Sequence, residues 1–169
     1  MLRFASAASA CGGRHEPDFP ERGRRRLVPT VTALVWCIMD YAVINFPVHG
    51  DKNGKLVALE KGEDFPFEIK RVYYIWDTVR HAVRGSHSHR NLEQVIVCMS
   101  GSCDFMLDDG TSRETVHLNS PTQGLHIKSN IWREFTNFSP GCVVMVLASQ
   151  HYDANDYIRD YEEFLRSLR

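Results

Sequence analysis

The 169-residue chain lacks an excess of either charge: 20 Lys and Arg face 21 Asp and Glu, for a formal net charge of −1. So close a balance excludes the broad basic footprint with which proteins grip nucleic acid. A long apolar run is also missing. The best candidate, residues 27–46, is interrupted by Pro29 and Asp40 and falls short of the roughly 18 uncharged apolar residues that a membrane-spanning helix needs. Cysteine is sparse and unpatterned, since Cys11, Cys37, Cys98, Cys103 and Cys142 are odd in number and contain no CxxC pair. Reduced thiols in a cytoplasmic protein suit that set better than a disulfide framework. A chain of this size hides about two-thirds of the surface it exposes when unfolded, so one domain with an ordinary core is expected.

Residues 1–38 lack sustained periodicity and carry six arginines against three acidic residues. The Arg24-Arg25-Arg26 run followed by an apolar stretch imitates a signal sequence, but the cluster lies deep in the chain and no small-residue cleavage site follows. These residues are expected to be an extension, either disordered or the product of a start assigned upstream of Met39. The domain proper is expected at 39–169.

From residue 41 onward short β-runs alternate with turn signals, at 41–48, 56–59, 69–76, 94–99, 103–107, 115–118, 125–127, 133–138 and 143–147. Asp51-Lys-Asn-Gly54, Ser100-Gly-Ser102, Asp108-Asp-Gly110 and Ser139-Pro-Gly141 supply Gly or Asn where a turn requires positive φ. Many short, regularly spaced strands predict an all-β sandwich or barrel. At the C-terminus the pattern changes: Asp153 or Asn155 is placed to cap an amphipathic helix bearing Ile158, Tyr161, Leu165 and Leu168 at three- and four-residue intervals.

Reactive side chains are densest in Arg84-Gly-Ser-His87-Ser-His89-Arg90-Asn-Leu-Glu93-Gln94. Alternate residues of a strand share a face, so His87 and His89 project together, about 6–7 Å apart along the backbone. An unbroken strand brings Glu93 to the same face. Such a pair suits metal binding or proton transfer near neutral pH. His81, His117 and His151 are weaker candidates, and Cys98 and Cys103 read as small packing residues.

His-x-His with Glu four residues on resembles the first motif of the cupin fold, and 124–137 resembles the second. Where that second motif brings a third histidine to a metal, this chain has Arg133, which has no lone pair to donate. A triad of His87, His89 and Glu93 remains the metal-dependent alternative. The resemblance then narrows. Gly54-Lys-Leu-Val-Ala-Leu-Glu60, Phe65-Pro-Phe-Glu-Ile-Lys-Arg-Val-Tyr-Tyr-Ile75, Arg84-Gly-x-His-x-His89, Leu107-Asp-Asp-Gly110, Leu118-Asn-Ser-Pro121, Ile131-Trp132 and Asp156-Tyr-Ile-Arg-Asp-Tyr161 are similar to the dTDP-4-keto-6-deoxyglucose 3,4-ketoisomerase family, in order and over about 44–165. The chain departs from that pattern at His126, Lys128-Ser129 and Asn53.

This resemblance implies a cupin-type jelly roll with one C-terminal helix. It also implies a cytoplasmic enzyme that moves the carbonyl of a dTDP-linked 4-keto-6-deoxyhexose from C4 to C3 without metal or organic cofactor. The product would feed an aminotransferase making 3-amino-3,6-dideoxyhexoses, and the protein would be a homodimer with exchanged N-terminal strands. A non-catalytic sugar-binding cupin is the further alternative. Enediol chemistry needs a base and a second proton carrier, with His87 expected as carbon base and His89 as carrier of oxygen protons, or the reverse. Arg84 or a tyrosine hydroxyl is expected to support the developing oxyanion, and since Tyr73 and Tyr74 lie on opposite strand faces only one of the two can face the site. Arg71, Arg84 and Arg133 are the candidates for the pyrophosphate, Trp132 or Trp76 for stacking on thymine, and His126 for lining the cavity.

Overall fold

The computed structural model describes residues 39–60, 62 and 67–169. The expected extension, 1–38, lies outside them. Twelve short strands carry the chain: β1 (Tyr41–Asn45), β2 (His49–Asp51), β3 (Gly54–Leu56), β4 (Arg71–Ile75), β5 (Arg84–His89), β6 (Gln94–Ser100), β7 (Cys103–Asp108), β8 (Arg113–Leu118), β9 (Gln123–Ile127), β10 (Trp132–Thr136), β11 (Val143–Ala148) and β12 (Tyr157–Ile158). One sheet has the order β1-β9-β6-β11-β4, the second β12-β5-β10-β7-β8, and β2 and β3 form a separate hairpin. The all-β, cupin-type jelly roll is therefore the architecture adopted.

Alternation along the strands sorts the core into three. Ile96, Cys98, Leu125, Ile127, Val144 and Val146 of the first sheet join Phe105, Leu107 and Phe135 of the second in one cluster between them. Their neighbours Val95, Val97 and Leu147 point the other way and are covered by Phe46 and Phe67. Both faces of β6 are thus buried, which explains its continuous apolar run. The outer face of the second sheet carries Trp132 and Met106 beneath Ile158 and Phe164.

The C-terminus differs from expectation. Asp153 caps only a 3-10 turn, Ala154–Asp156, accepting from the Asn155 N–H. The chain then extends as β12, pairing Tyr157 with His89 and Ile158 with Ser88, so Ile158 enters the core from a strand. The helix α1 (Tyr161–Ser167) starts later, with Asp160 accepting from the Glu163 N–H at 2.7 Å. Near the N-terminus the run expected at 41–48 stops at Asn45 and that at 56–59 belongs to the β2–β3 hairpin only through Leu56.

A β-bulge in β5 positions the site. Across the ladder, Arg84 faces Phe135, Gly85 faces Glu134 and His87 faces Arg133, which leaves Ser86 unmatched. Gly85 and Ser86 take φ of 87° and 49°. The extra residue resets the alternation, so Arg84 and His87, three apart in sequence, both oppose residues of the inner face. A Cβ at Gly85 would lie 2.7 Å from the Arg133 carbonyl oxygen and 2.9 Å from Cε1 of Phe135. Gly85→Ala is therefore expected to cost about 1–3 kcal/mol through strain at this position, read as a lowered urea midpoint. Ser86→Gly, at the neighbouring positive φ, should stay within about 1 kcal/mol of the parent.

Candidate active site

β5 delivers two imidazoles to the inner face at the point where β12 closes its edge. His87 Nε2 and His89 Nε2 stand 3.1 Å apart, the rings edge-to-face with centroids at 4.8 Å. The other nitrogen of each ring has a fixed acceptor: His87 Nδ1 lies 2.9 Å from the Gly85 carbonyl oxygen, and His89 Nδ1 lies 2.9 Å from Asp156 Oδ2. These acceptors assign both rings as Nδ1–H tautomers when neutral. The two Nε2 lone pairs then face one another, and a proton arriving at either is shared by both.

Asp156 is held as tightly as it holds. Its Oδ1 accepts from the Asn91 backbone N–H at 2.8 Å and from Asn91 Nδ2 at 3.3 Å, and its carbonyl accepts from the Arg90 N–H at 3.0 Å. The Tyr157 ring packs 4.3 Å from the His89 ring and 4.9 Å from the His87 ring, centroid to centroid, with the Arg159 guanidinium 4.4 Å above its other side.

His87 opens onto a cavity of about 610 Å³ whose walls include Arg71, Tyr73, Trp76, Arg84, Tyr152 and Tyr157, a volume in the range of small-ligand sites. Arg71 lies between the Tyr73 and Tyr152 rings, at 5.2 and 5.5 Å from their centroids, and its buried Nε–H has no hydrogen-bond partner. An orphaned guanidinium donor on a cavity wall fits an anionic ligand.

Behind the cavity a buried relay fixes Tyr73. Arg133, 1% exposed, donates through Nη1 to Gln94 Oε1 at 2.5 Å, and Gln94 Nε2 donates to the Tyr73 hydroxyl at 2.8 Å. With its oxygen already accepting, Tyr73 is free to direct its own proton into the cavity. Burial raises the Tyr73 pKa above the ordinary value, so the hydroxyl stays protonated.

With this geometry, the comparisons with known proteins converge. Residues 39–169 match the family described as FdtA: WxcM-like, C-terminal. The chain belongs to that family. It is 50% identical over 130 residues, 77% of this chain and 94% of the relative, to TDP-4-oxo-6-deoxy-alpha-D-glucose-3,4-oxoisomerase of Aneurinibacillus thermoaerophilus. Among solved structures it is similar to the TDP-quinovose 3,4-ketoisomerase WlaRB of Campylobacter jejuni, at 53% identity and a TM-score of 0.74, covering 76% of this chain and 99% of that one. It is also similar, at 41% identity and a TM-score of 0.75, to a histidine-to-asparagine mutant of a 3,4-ketoisomerase from Thermoanaerobacterium thermosaccharolyticum in complex with TDP-4-keto-6-deoxyglucose, covering 76% of this chain and 94% of that one. The family read from the sequence motifs is thus the family found.

Within this FdtA-family site several expected residues take other places. Glu93 does not join His87 and His89, because β5 ends at His89 and Glu93 Oε2 instead contacts His126 Nε2 at 2.9 Å. His126 lies on the outer face of the first sheet against Phe67, with ring centroids 5.9 Å apart, and does not line the cavity. Trp132 packs against Tyr161 and Phe164 under α1, with Nε1 donating to Glu134. The tryptophan at the cavity is Trp76. Arg133 does not reach the cavity surface either, since its remaining donors go to the carbonyls of Ile131 and Lys128. Tyr74, 63% exposed and tilted on Trp76, also borders the cavity, whereas Tyr73 is the tyrosine held in its wall by Gln94. His89 is 0% exposed and sits behind His87, so contact with a ligand falls to His87. His117 pairs with Asp104 on the exposed face of the second sheet. Asp156 and Tyr157 carry no local signal of their role, since Asp156 is 67 residues from its histidine.

Burial pushes the His87 pKa down to about 4, and the Arg133 and Arg159 cations add to it against the pull of the Gly85 carbonyl. His89 is lowered too, first by burial and then by Arg133, His87, Arg71 and Arg159. Both imidazoles are therefore neutral near pH 7. In the unfolded chain His87 protonates below 6.5 while in the fold it stays neutral to about 4. The unfolded state then binds more protons across that window, and stability must fall as pH drops through it. Urea midpoints should decline between pH 6.5 and 4, and His87→Gln should flatten the decline. A steeper decline in the variant would contradict the burial argument.

Proposed function

We propose that this chain is a sugar-nucleotide 3,4-ketoisomerase, moving the carbonyl of a dTDP-linked 4-keto-6-deoxyhexose from C4 to C3 through an enediol. The observation that carries the reading is the neutral His87–His89 pair, with facing Nε2 atoms, at the wall of a cavity that also presents Tyr73 and the unpartnered Arg71 donor.

His87 Nε2 takes the proton from C3, and the electron pair left behind forms the C3–C4 double bond of the enediol. The proton is then shared with His89, whose Nδ1–H is oriented by Asp156. The former C4 carbonyl oxygen takes a proton from Tyr73, whose hydroxyl is held by Gln94. Return of the shared proton to C4, with loss of the C3 hydroxyl proton to Tyr73, forms the C3 carbonyl and restores every side chain. No electron leaves the substrate, so no redox cofactor is needed, and every proton in the scheme is carried by a side chain of this chain. Arg71 and Arg84 offer forked donors to the pyrophosphate, and Trp76 at the rim offers a face to thymine.

The product, a 3-keto sugar, is the type of carbonyl an aminotransferase consumes in making 3-amino-3,6-dideoxy sugars. A cytoplasmic location goes with nucleotide-sugar chemistry and the reduced thiols; among the described residues no helix is long and apolar enough to cross a membrane. We also propose a homodimer. β1 pairs with β9 of its own chain, while β4 ends its sheet with Val72 exposed. A second copy of the chain packed along β4 would cover that edge. Tyr74→Glu is expected to shift the protein from dimer to monomer in sedimentation velocity, and a monomeric parent would remove the dimer from the proposal.

The reaction is tested by proton NMR of the protein with dTDP-4-keto-6-deoxyglucose in deuterated buffer. Loss of the C3 hydrogen signal and growth of a 3-keto product are expected, unchanged by EDTA. His87→Asn should slow both by about 10²–10⁴-fold, the usual contribution of a positioned acid–base group. Absence of C3 exchange in the parent protein would overturn the reading.

A further inference from the structure

The proton-transfer chemistry leaves one buried cluster of reactive groups unused. Cys98 at the end of β6, Cys103 at the start of β7 and Cys142 ahead of β11 are all buried, and their Sγ atoms lie within 4.8 Å of one another. The Cys98 and Cys142 sulfurs are 3.9 Å apart. A thiophilic cation with metal–sulfur bonds of about 2.3 Å needs sulfurs separated by about 4 Å when three surround it. The cluster already has nearly that spacing, and it mixes residues from three segments that only the fold brings together.

Access is provided from one side. A cavity of about 560 Å³ beside the turn before β11 is lined by Cys142, Val143, Phe138, Trp76, Asp77 and Arg80. Cys142 is both a wall of this cavity and a member of the cluster. The site stands apart from the histidines: Cys98 is four residues beyond Gln94 on the inner face of β6, about 13 Å away at the rise of a strand.

We propose that Cys98, Cys103 and Cys142 form a three-sulfur site for a soft d10 cation of the zinc, cadmium and copper(I) class, entered from the cavity beside Cys142. Soft sulfur donors select this class over magnesium or calcium, which take oxygen ligands. Loading displaces protons from the ligating thiols to solvent, with no change of oxidation state. The bound ion would tie the β6–β7 turn to the 138–142 turn at the end of the sandwich away from the histidines.

The test uses the full chain carrying Cys11→Ser and Cys37→Ser, which removes the two thiols outside the cluster, titrated with Cd²⁺ under anaerobic conditions. A sulfur-to-cadmium charge-transfer band saturating at a single equivalent is expected, together with a rise in the thermal midpoint. Excess Mg²⁺ should not displace the ion, and Zn²⁺ should compete. Adding either Cys98→Ser or Cys142→Ser should reduce the band by at least about tenfold in apparent affinity, the scale of losing a metal-ligand contact. His87→Asn should leave it intact. Two separate cysteine variants guard against one failing to fold, which far-ultraviolet circular dichroism reports. Absence of the band in the Cys11→Ser, Cys37→Ser protein, or its survival in both cluster variants, would overturn the proposal.

Discussion

A guanidinium with almost no contact with water organises this fold. Arg133 sits on the inner face of β10, 1% exposed, and burying an unpaired charge there would cost several kcal/mol. The cost is offset because its donors meet the carbonyls of Ile131 and Lys128 and the amide oxygen of Gln94. Each of those contacts fixes something else. The carbonyls hold the 128–131 loop against its own strand. The Gln94 contact settles which end of that amide faces inward, and therefore which end reaches Tyr73. The cation itself disfavours protonation of His87 and His89. Burial lowers its own pKa only to about 10, so it remains charged near neutral pH.

The same charge explains why two imidazoles stand nose to nose. With Nδ1–H of each ring committed to an acceptor, two neutral rings present lone pairs to one another at 3.1 Å, an arrangement that favours taking up a proton. Burial and Arg133 act in the opposite sense. A base that is empty at rest and has a second lone pair behind the first is what reversible abstraction from carbon requires. Asp156 anchors the rear ring without touching the front one, so the carboxylate orients the pair from the side away from the cavity.

Much of this was legible in the sequence wherever information is local. The His-x-His alternation, most of the strand runs and the turns at Gly101, Gly110 and Gly141 depend on neighbours one to four apart and appear as read, while the runs at 41–48 and 56–59 stop short at Asn45 and Leu56. Arg84 is a more instructive case, because simple alternation puts it on the face opposite His87. Only the unmatched Ser86 brings it inward, and a bulge is invisible without its partner strand. Glu93 leaves the histidine face because β5 ends at His89, whereas His126 and Trp132 share another reason. Both sheets are covered on their outer faces, so apolar neighbours do not reveal which side of a strand faces the cavity. Asp156 reaches His89 only because β12 closes on β5, a pairing no local pattern encodes.

The inner face of β6 shows how one strand serves two chemistries. Gln94, Ile96 and Cys98 follow one another along it, so a hydrogen-bonded amide at one end and a thiol at the other are separated by an isoleucine in the central cluster. Distance weakens the electrostatic coupling of the two ends, which lie about 13 Å apart at the rise of a strand. The arginine's charge acts on the imidazoles and on Tyr73, while the Cys98 sulfur contacts the Ser100 and Gly101 carbonyls and the Cys142 sulfur. A ligand at either end would therefore be felt at the other mainly through the rigidity of the shared core.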